Sequence, residues 1–221
     1  MVDRDDLNHY CNQYLSVSKY KDYCPNGLQV EGSQTINKIV SGVSANLDFI
    51  ELAIAEQADA IFVHHGIFWD NESNVIVGAK RKKIDLLIKN NINLFAYHLP
   101  LDAHSEVGNN VELGRILGVR NMKSVDDSLL WQGELDTDLK TFSRLIEKEL
   151  GRVPEIFGRM NNSVHSIAWC TGGAQGFIDE AINLNVDVFL SGEVSERTPA
   201  VAKENDLTYI SAGHHATERY G

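Results

Sequence analysis

Ile39 and Ile167 lie 128 positions apart, and a run of matches keeps that spacing. Phe49 falls on Phe177, Ile50 on Ile178, Ala53 on Ala181, Ile54 on Ile182 and Asp59 on Asp187, with Glu51 on Asp179. The register holds without a gap across a strand–helix–strand pattern. Any two such units share a periodicity, but periodicity alone does not demand identical residues in one register. The period is far longer than the roughly 20–50 residues of a solenoid repeat. The expectation is an α/β fold: two similar α/β halves related by internal duplication, with helices packed on mostly parallel sheets. The first half is expected over 1–125 and the second over 126–210, with 211–221 returning to the first to complete a metal site.

Hydrophobic spacing fills in the elements. Helices are expected over Asp3 to Leu15, from Leu47 with Asn46 as N-cap, over Lys80 to Asn90, and over Asn109 to Leu117 ending at Gly118. Further helices are expected over Asp138 to Leu150 ending at Gly151, Gly176 to Leu184, and Ser195 to Asn205 with Pro199 in its first turns. Strands are expected at Lys38 to Val43, Asp59 to Val63, Ile92 to Tyr97, Val164 to Cys170, Val186 to Leu190 and Leu207 to Ser211. Ser18 to Gln34 is rich in turn residues and reads as a loop.

Charge and cysteine content narrow the function classes. Twenty Lys+Arg against 31 Asp+Glu give a net charge of −11, which disfavours nucleic acid as a partner. The acidic start Met1-Val2-Asp3-Arg4-Asp5-Asp6 is no signal-peptide n-region, and no apolar run approaches a membrane span, so a cytoplasmic protein with no membrane partner is expected. Cys11, Cys24 and Cys170 are odd in number and unpaired in spacing, and read as core thiols of a reducing compartment.

The histidines carry more. Six of eight follow expected strands: His64 and His65, His98 and His104, His214 and His215. In open α/β sheets, ligands gather outside the carboxyl ends of strands. Imidazole and carboxylate suit zinc, iron, manganese or nickel. Aligning the third strand of each half at an offset of 116 places His98 on His214 and Asp102 on Glu218. Each half then offers His-x-x-x-carboxylate after a strand. Two divalent metal ions roughly 3.5–4 Å apart could be bridged by Asp102 or Glu218 and polarise a water. A lone histidine more often caps a loop, and His9 and His165, outside the pattern, read as surface residues. Adjacent His64 and His65 on a regular strand would face opposite ways, unless the strand ends at Gly66.

The chain resembles the Nif-three-like family, also called domain of unknown function thirty-four and often named GTP cyclohydrolase I type II homologue, in particular its bacterial YbgI-type members. The carriers are Pro25-Asn-Gly-Leu-Gln-Val-Glu-Gly32, Val63-His-His-Gly66, His98-Leu-Pro-Leu-Asp-Ala-His104, Ser191-Gly-Glu-Val-Ser-Glu196 and Gly213-His-His-Ala-Thr-Glu-Arg219. His-His-Gly alone is a weak signal; the set in this order is specific. The resemblance implies a dinuclear metal site with ligands His64, His65, Asp102, His214 and Glu218. It leaves His98 and His104 beside the site, as candidates for catalytic proton transfer. It also implies a homo-oligomer, a ring-shaped homohexamer with sites facing an internal cavity, and a further helix and strand beyond Glu218.

Other motifs are weaker. Lys80-Arg81-Lys82-Lys83 could meet a phosphate but reads as a solvated helix face. Thr171-Gly172-Gly173 could hold an anion, yet lacks nucleotide-motif spacing. Phe68 and Trp69 could line a pocket for a planar base or simply pack. Ser191-Gly192-Glu193 aligns with Val63-His64-His65, so the second half has no His-His pair and one metal cluster per chain is expected. The functional expectation is a metal-dependent hydrolase of a nucleotide-like small-molecule substrate. The alternative is a non-enzymatic metal-binding protein serving metal delivery, storage or a regulatory assembly.

Overall fold

The computed structural model describes residues 1–160 and 163–221. The chain divides into two compact units, Met1–Leu101 and Asp102–Gly221. Unit 1 holds, in order, β1 (Val2–Asp3), α1 (Arg4–Tyr14), β2 (Gly27–Val30), β3 (Thr35–Ile36), β4 (Ile39–Ser44), α2 (Leu47–Ala55), β5 (Ala60–His65), α3 (Gly78–Lys89) and β6 (Asn93–Ala96). The division falls inside α4 (Leu99–Ala103). Unit 2 continues with α5 (Asn109–Ile116), β7 (Arg120–Ser124), β8 (Trp131–Thr137), α6 (Leu139–Leu150), β9 (Glu155–Gly158) and β10 (Val164–Cys170). It ends with α7 (Ile178–Asn183), β11 (Val188–Ser191), α8 (Thr198–Glu204), β12 (Thr208–Ser211) and α9 (His214–Thr217).

The main sheet of unit 1 runs β2-β6-β5-β4, and that of unit 2 runs β7-β8-β10-β11-β12-β9. Within each, three strands are parallel: β4, β5 and β6, and β10, β11 and β12. Their registers repeat. Ile39 pairs with Ala60, and 128 positions on Ile167 pairs with Val188. The aspartates at that spacing do the same work. Asp59 Oδ2 accepts from the amides of Asn37 and Lys38, and Asp187 Oδ2 from those of His165 and Ser166. Identical bonds at one offset are more than shared periodicity requires.

The third strand corrects the expected offset. Ala60 pairs with Asn93 and Val188 with Thr208, so β6 and β12 are related by 115 positions rather than 116. His98 is then equivalent to Gly213, and His214 sits one residue further on.

The equivalent helices bury equivalent residues. Ile50 and Ala53 of α2 pack with Ile61 and Leu94, and Ile178 and Ala181 of α7 pack with Phe189 and Tyr209. Unit 2 adds a second layer. Ile167, Trp169, Val188, Leu190 and Ile210 alternate with the former set and meet α6. That helix is amphipathic as its spacing predicts: Leu139, Phe142, Ile146 and Leu150 are buried. Each such side chain contributes at most about 1.5–3 kcal/mol. Asp138 caps its first turn by accepting from the Thr141 amide, and Gly151 ends it at φ +66°.

The halves divide at 101/102 rather than at 125, because β7 pairs antiparallel with β8 and so joins the second sheet. Residues 211–221 belong to unit 2. The expected Ser18–Gln34 loop contains β2, which pairs antiparallel with β6. Strands β7, β8 and β9 were likewise not expected, and they add antiparallel pairings around the parallel central strands of the second sheet. Among the described residues, no helix is long and apolar enough to cross a membrane.

Candidate functional site

The first unit brings three imidazoles together at the carboxyl ends of β5 and β6. His64, His65 and His98 each offer a ring nitrogen within 4.8 Å of the others. The strand β5 runs through both His64 and His65, so the pair does not depend on leaving the strand at Gly66. Their rings are 4.7 Å apart, and His98 lies 4.9 Å from His64 and 5.8 Å from His65.

Each ring is held at Nδ1. His64 Nδ1 lies 2.8 Å from the Tyr97 carbonyl, which can only accept, so this nitrogen carries the proton. His65 Nδ1 is 3.0 Å from Ser44 Oγ. His98 Nδ1 donates to Asp22 Oδ1 at 2.7 Å. Burial pushes the Asp22 carboxyl up, but hydrogen bonds from His98 and Asn26 together outweigh it and hold the group below the usual carboxylate range.

The segment around β2 sets the backbone here. Asn26 Oδ1 accepts from the His98 amide at 2.7 Å, and its Nδ2 donates to Asp22 Oδ2 at 2.8 Å. Gln29 Oε1 accepts from the Ile67 amide at 3.0 Å, fixing the chain just past the histidine pair. The Pro25–Gly32 motif is thus the support of the histidine cluster. Phe68 packs into the core with Lys80 over its ring, while the Trp69 indole stands edge-on to His98 at 5.1 Å. One thiol lies beside this cluster. Cys24 Sγ lies within 4.8 Å of donor atoms of Asp22 and His98. Burial, with Asp22 and Asp70 adding to it, pushes this thiol up to about 12, so it stays protonated and is a poor ligand.

The second unit gathers carboxylates. Asp102 and Glu218 are both buried, at 6% exposure each. Asp102 Oδ1 accepts from Asn109 Nδ2 at 2.9 Å and from Thr171 Oγ1 at 3.3 Å. His214 bridges two carboxylates: Nδ1 is 2.6 Å from Glu193 Oε1 and Nε2 is 3.2 Å from Glu218 Oε1. The hydrogen bond to Glu218 is the largest of the influences that raise the His214 imidazole to about 9; burial opposes it and Glu193 assists.

The glycines after β10 make this possible. Gly172 has φ +68°, and a Cβ there would sit 2.2 Å from Glu218 Oε1. Thr171-Gly172-Gly173 therefore shapes the carboxylate pocket rather than an anion site. His104 takes another role: its Nδ1 accepts from the amides of Glu106 and Val107, capping a turn. His9, His165 and His215 are exposed. Sequence reasoning missed Asp22, Asn26, Gln29, Asn109 and Glu193 as supports. Asn26, Gln29 and Glu193 had a signal, since they lie in the Pro25–Gly32 and Ser191–Glu196 motifs, and Glu193 also stands 128 positions from His65.

Histidine and carboxylate donors among the described residues lie in groups that could hold a divalent metal. Ligating histidines commonly give their other nitrogen to a carbonyl or carboxylate, which fixes the tautomer. That pattern is present at His64, His98 and His214, and buried carboxylates gain most from a cation. The nitrogen-rich and oxygen-rich sets both suit zinc, iron, manganese or nickel.

Over 100% of this chain and 89% of the relative's length, it is 48% identical to a protein of Allochromatium vinosum named GTP cyclohydrolase 1 type 2 homolog. A solved structure described as protein ybgI, of unknown function, superposes with TM-score 0.96 at 44% identity, covering 100% of this chain and 90% of that one. A crystal structure of a Thermus thermophilus protein gives 0.92 at 32% identity, covering 100% and 90%. The model of the family Duf34/NIF3 (NGG1p interacting factor 3) matches residues 2–221, and the chain belongs to that family.

Proposed function

We propose that this protein binds two divalent metal ions through His64, His65, Asp102, His214 and Glu218, and uses them to hydrolyse a nucleotide-like small molecule. The observation that carries the reading is the way the donors are prepared. His64 is tied at Nδ1 to a carbonyl and His214 to a carboxylate, which leaves Nε2 as the metal-facing nitrogen of each. Asp102 is oriented by Asn109 and Thr171. Bound divalent ions supply Lewis-acid polarisation of a water and of a substrate oxygen. The chain's own residues hold the donors and carry protons. His98 and His104 each have Nδ1 engaged, so either would move a proton through Nε2. The name shared by the curated relatives supports a purine nucleotide as the first substrate class to test. Assembly as a homohexamer in the cytoplasm belongs to the same reading and is tested by light scattering on the purified chain.

Elemental analysis of protein from unsupplemented cells should find two metal ions per chain. Asp102→Ala and Glu218→Ala should lose metal and turnover of a GTP panel together. Turnover that survives metal loss would overturn the hydrolase. Metal retained with no turnover across the panel would leave metal delivery or storage as the function.

A further inference from the structure

We propose that the Trp69 indole is the platform on which the planar ring of the substrate stacks, so that the ligand is an aromatic heterocycle of the nucleotide-base class. This rests on the reading that the protein acts on a nucleotide-like molecule at its metal site, and it names the side chain that recognises the base.

Core packing does not account for this indole. The chain has three tryptophans. Trp131 and Trp169 are 5% and 1% exposed, and their rings lie 6.2 Å apart in the core of unit 2. Trp69 is half-buried and belongs to none of the hydrophobic core clusters of the described residues. Its neighbour Phe68 packs against the core of unit 1, with the Lys80 ammonium over its ring. Packing therefore explains Phe68 and leaves Trp69 over. An indole has one of the largest apolar surfaces of any side chain, and keeping it partly wet beside polar rings forgoes much of the gain of burying it.

The surroundings of Trp69 favour a flat partner. Its ring lies 5.8 Å from that of His65 and 5.1 Å from that of His98, with interplanar angles of 55° and 87°. Neither imidazole lies parallel to the indole, so among the described residues no aromatic ring is stacked on it. Stacking is an arrangement in which an indole and a nucleotide base attract strongly, and it tolerates any base because every base has a π-face. A ring seated there would stand next to His65, one of the proposed metal ligands.

The indole is also held in advance. Just before it, the Ile67 amide donates to Gln29 Oε1 at 3.0 Å. The Trp69 carbonyl accepts from the Glu72 amide at 3.1 Å, and the Asp70 amide donates to the Tyr23 carbonyl at 2.8 Å. The backbone is thus tied on both sides of the ring, which lowers the ordering cost of binding. The tie to Tyr23 brings a second aromatic side chain to the same place. Tyr23 is 64% exposed, and its ring lies 6.3 Å from that of His98. A loop that had only to turn would not need two aromatic rings beside the histidine cluster.

The full chain, supplied with zinc(II), is titrated with GMP, AMP and UMP, and with ribose 5-phosphate as the probe that lacks a base. Binding is read by calorimetry and by tryptophan fluorescence. One or more of the nucleotides should quench the fluorescence and bind at least about fivefold more tightly than ribose 5-phosphate, the low end for one base–aromatic stack. Trp69→Ala should weaken that nucleotide about 5–150-fold and leave ribose 5-phosphate unmoved. Trp69→Phe, which keeps a flat face, should lose less affinity but all of the quenching, because Trp131 and Trp169 are buried. Circular dichroism reports the folding of each variant and light scattering its assembly size. Nucleotides that bind no better than ribose 5-phosphate would sink the proposal, as would nucleotide affinity unmoved by Trp69→Ala. A changed assembly size with unmoved affinity would assign Trp69 to a contact between copies of the chain instead. Elemental analysis of the same samples separates the two readings. Two ions per chain with no preference for a base uphold the metal site and defeat the platform; a base preference that depends on Trp69 in a chain that takes up no metal does the reverse.

Discussion

The parallel strands of the first unit end in imidazoles, and their duplicates in the second end near carboxylates. At one spacing, His64 and His65 of β5 become Gly192 and Glu193 after β11. Glu193 no longer offers nitrogen; it orients His214 instead. The register and the two aspartate clamps are unchanged. The pairing frame of a duplicated α/β unit is thus separable from the chemistry at its strand ends. The frame fixes where donors stand, and a few substitutions at the strand ends decide what they are.

The most severe way to break this contrast is Gly172→Ala. A Cβ at φ +68° is strained, and it would drive Glu218 away from His214. A loss of about 2–4 kcal/mol in urea unfolding is expected, with loss of metal. Gly151→Ala, at φ +66° with nothing near its Cβ, is the control and should cost only about 1–2 kcal/mol with metal retained. Next comes Glu193→Gln, which should lower metal affinity by about 10–100-fold in calorimetry without unfolding the protein. Unchanged affinity would mean that the duplicate of His65 has no part in the site.

The shared frame is tested by Asp59→Ala and Asp187→Ala. Both should destabilise by about 1–2 kcal/mol, Asp187 more, because it also accepts from the Ser166 hydroxyl. An effect at only one would show that the repeat is a resemblance of sequence without shared mechanics.

The smallest effect is in pH. Backbone hydrogen bonds from Asn37 and Lys38 hold Asp59 below 3.8; burial pushes Asp187 up, but bonds from His165 and Ser166 outweigh it and leave it below 3.8 too. Their contribution is present above about pH 4 and is lost as pH falls through the depressed values, in both halves. His214 is raised from 6.5 to about 9 in the metal-free protein. Its contribution is complete below 6.5 and is lost as pH rises through 9, in the second half alone. Thermal melts of the metal-free chain should therefore fall modestly between pH 6.5 and 9, and His214→Ala should flatten that slope.

The duplicated core was legible because its matches keep one register and its apolar positions alternate. The strand β2 was not, since Pro25, Gly27 and Gly32 give its segment the composition of a turn. Strand β8 mixes Gly133, Glu134 and Asp136 with its apolar residues, which hides the period of two. The single-residue error at β6 and β12 has a simple origin. Aligning two conspicuous histidines placed chemistry ahead of pairing, and pairing sets the register. The donors His64, His65 and His214 stand out because histidine is scarce. Asp22 does not, because one aspartate among 31 acidic residues gives no hint that it reaches a ring 76 positions away.

The Asp22–His98 contact also sets an order in time. Every residue of the first unit's histidine cluster, with its supports, precedes Leu99. The last carboxylate, Glu218, is translated 120 residues after His98. At roughly 5–20 residues per second, that is a gap of about 6–24 s. A nascent chain would present His64, His65 and Asp102 well before His214 and Glu218 exist, so the metal that first meets the polypeptide would be chosen by the earlier donors alone.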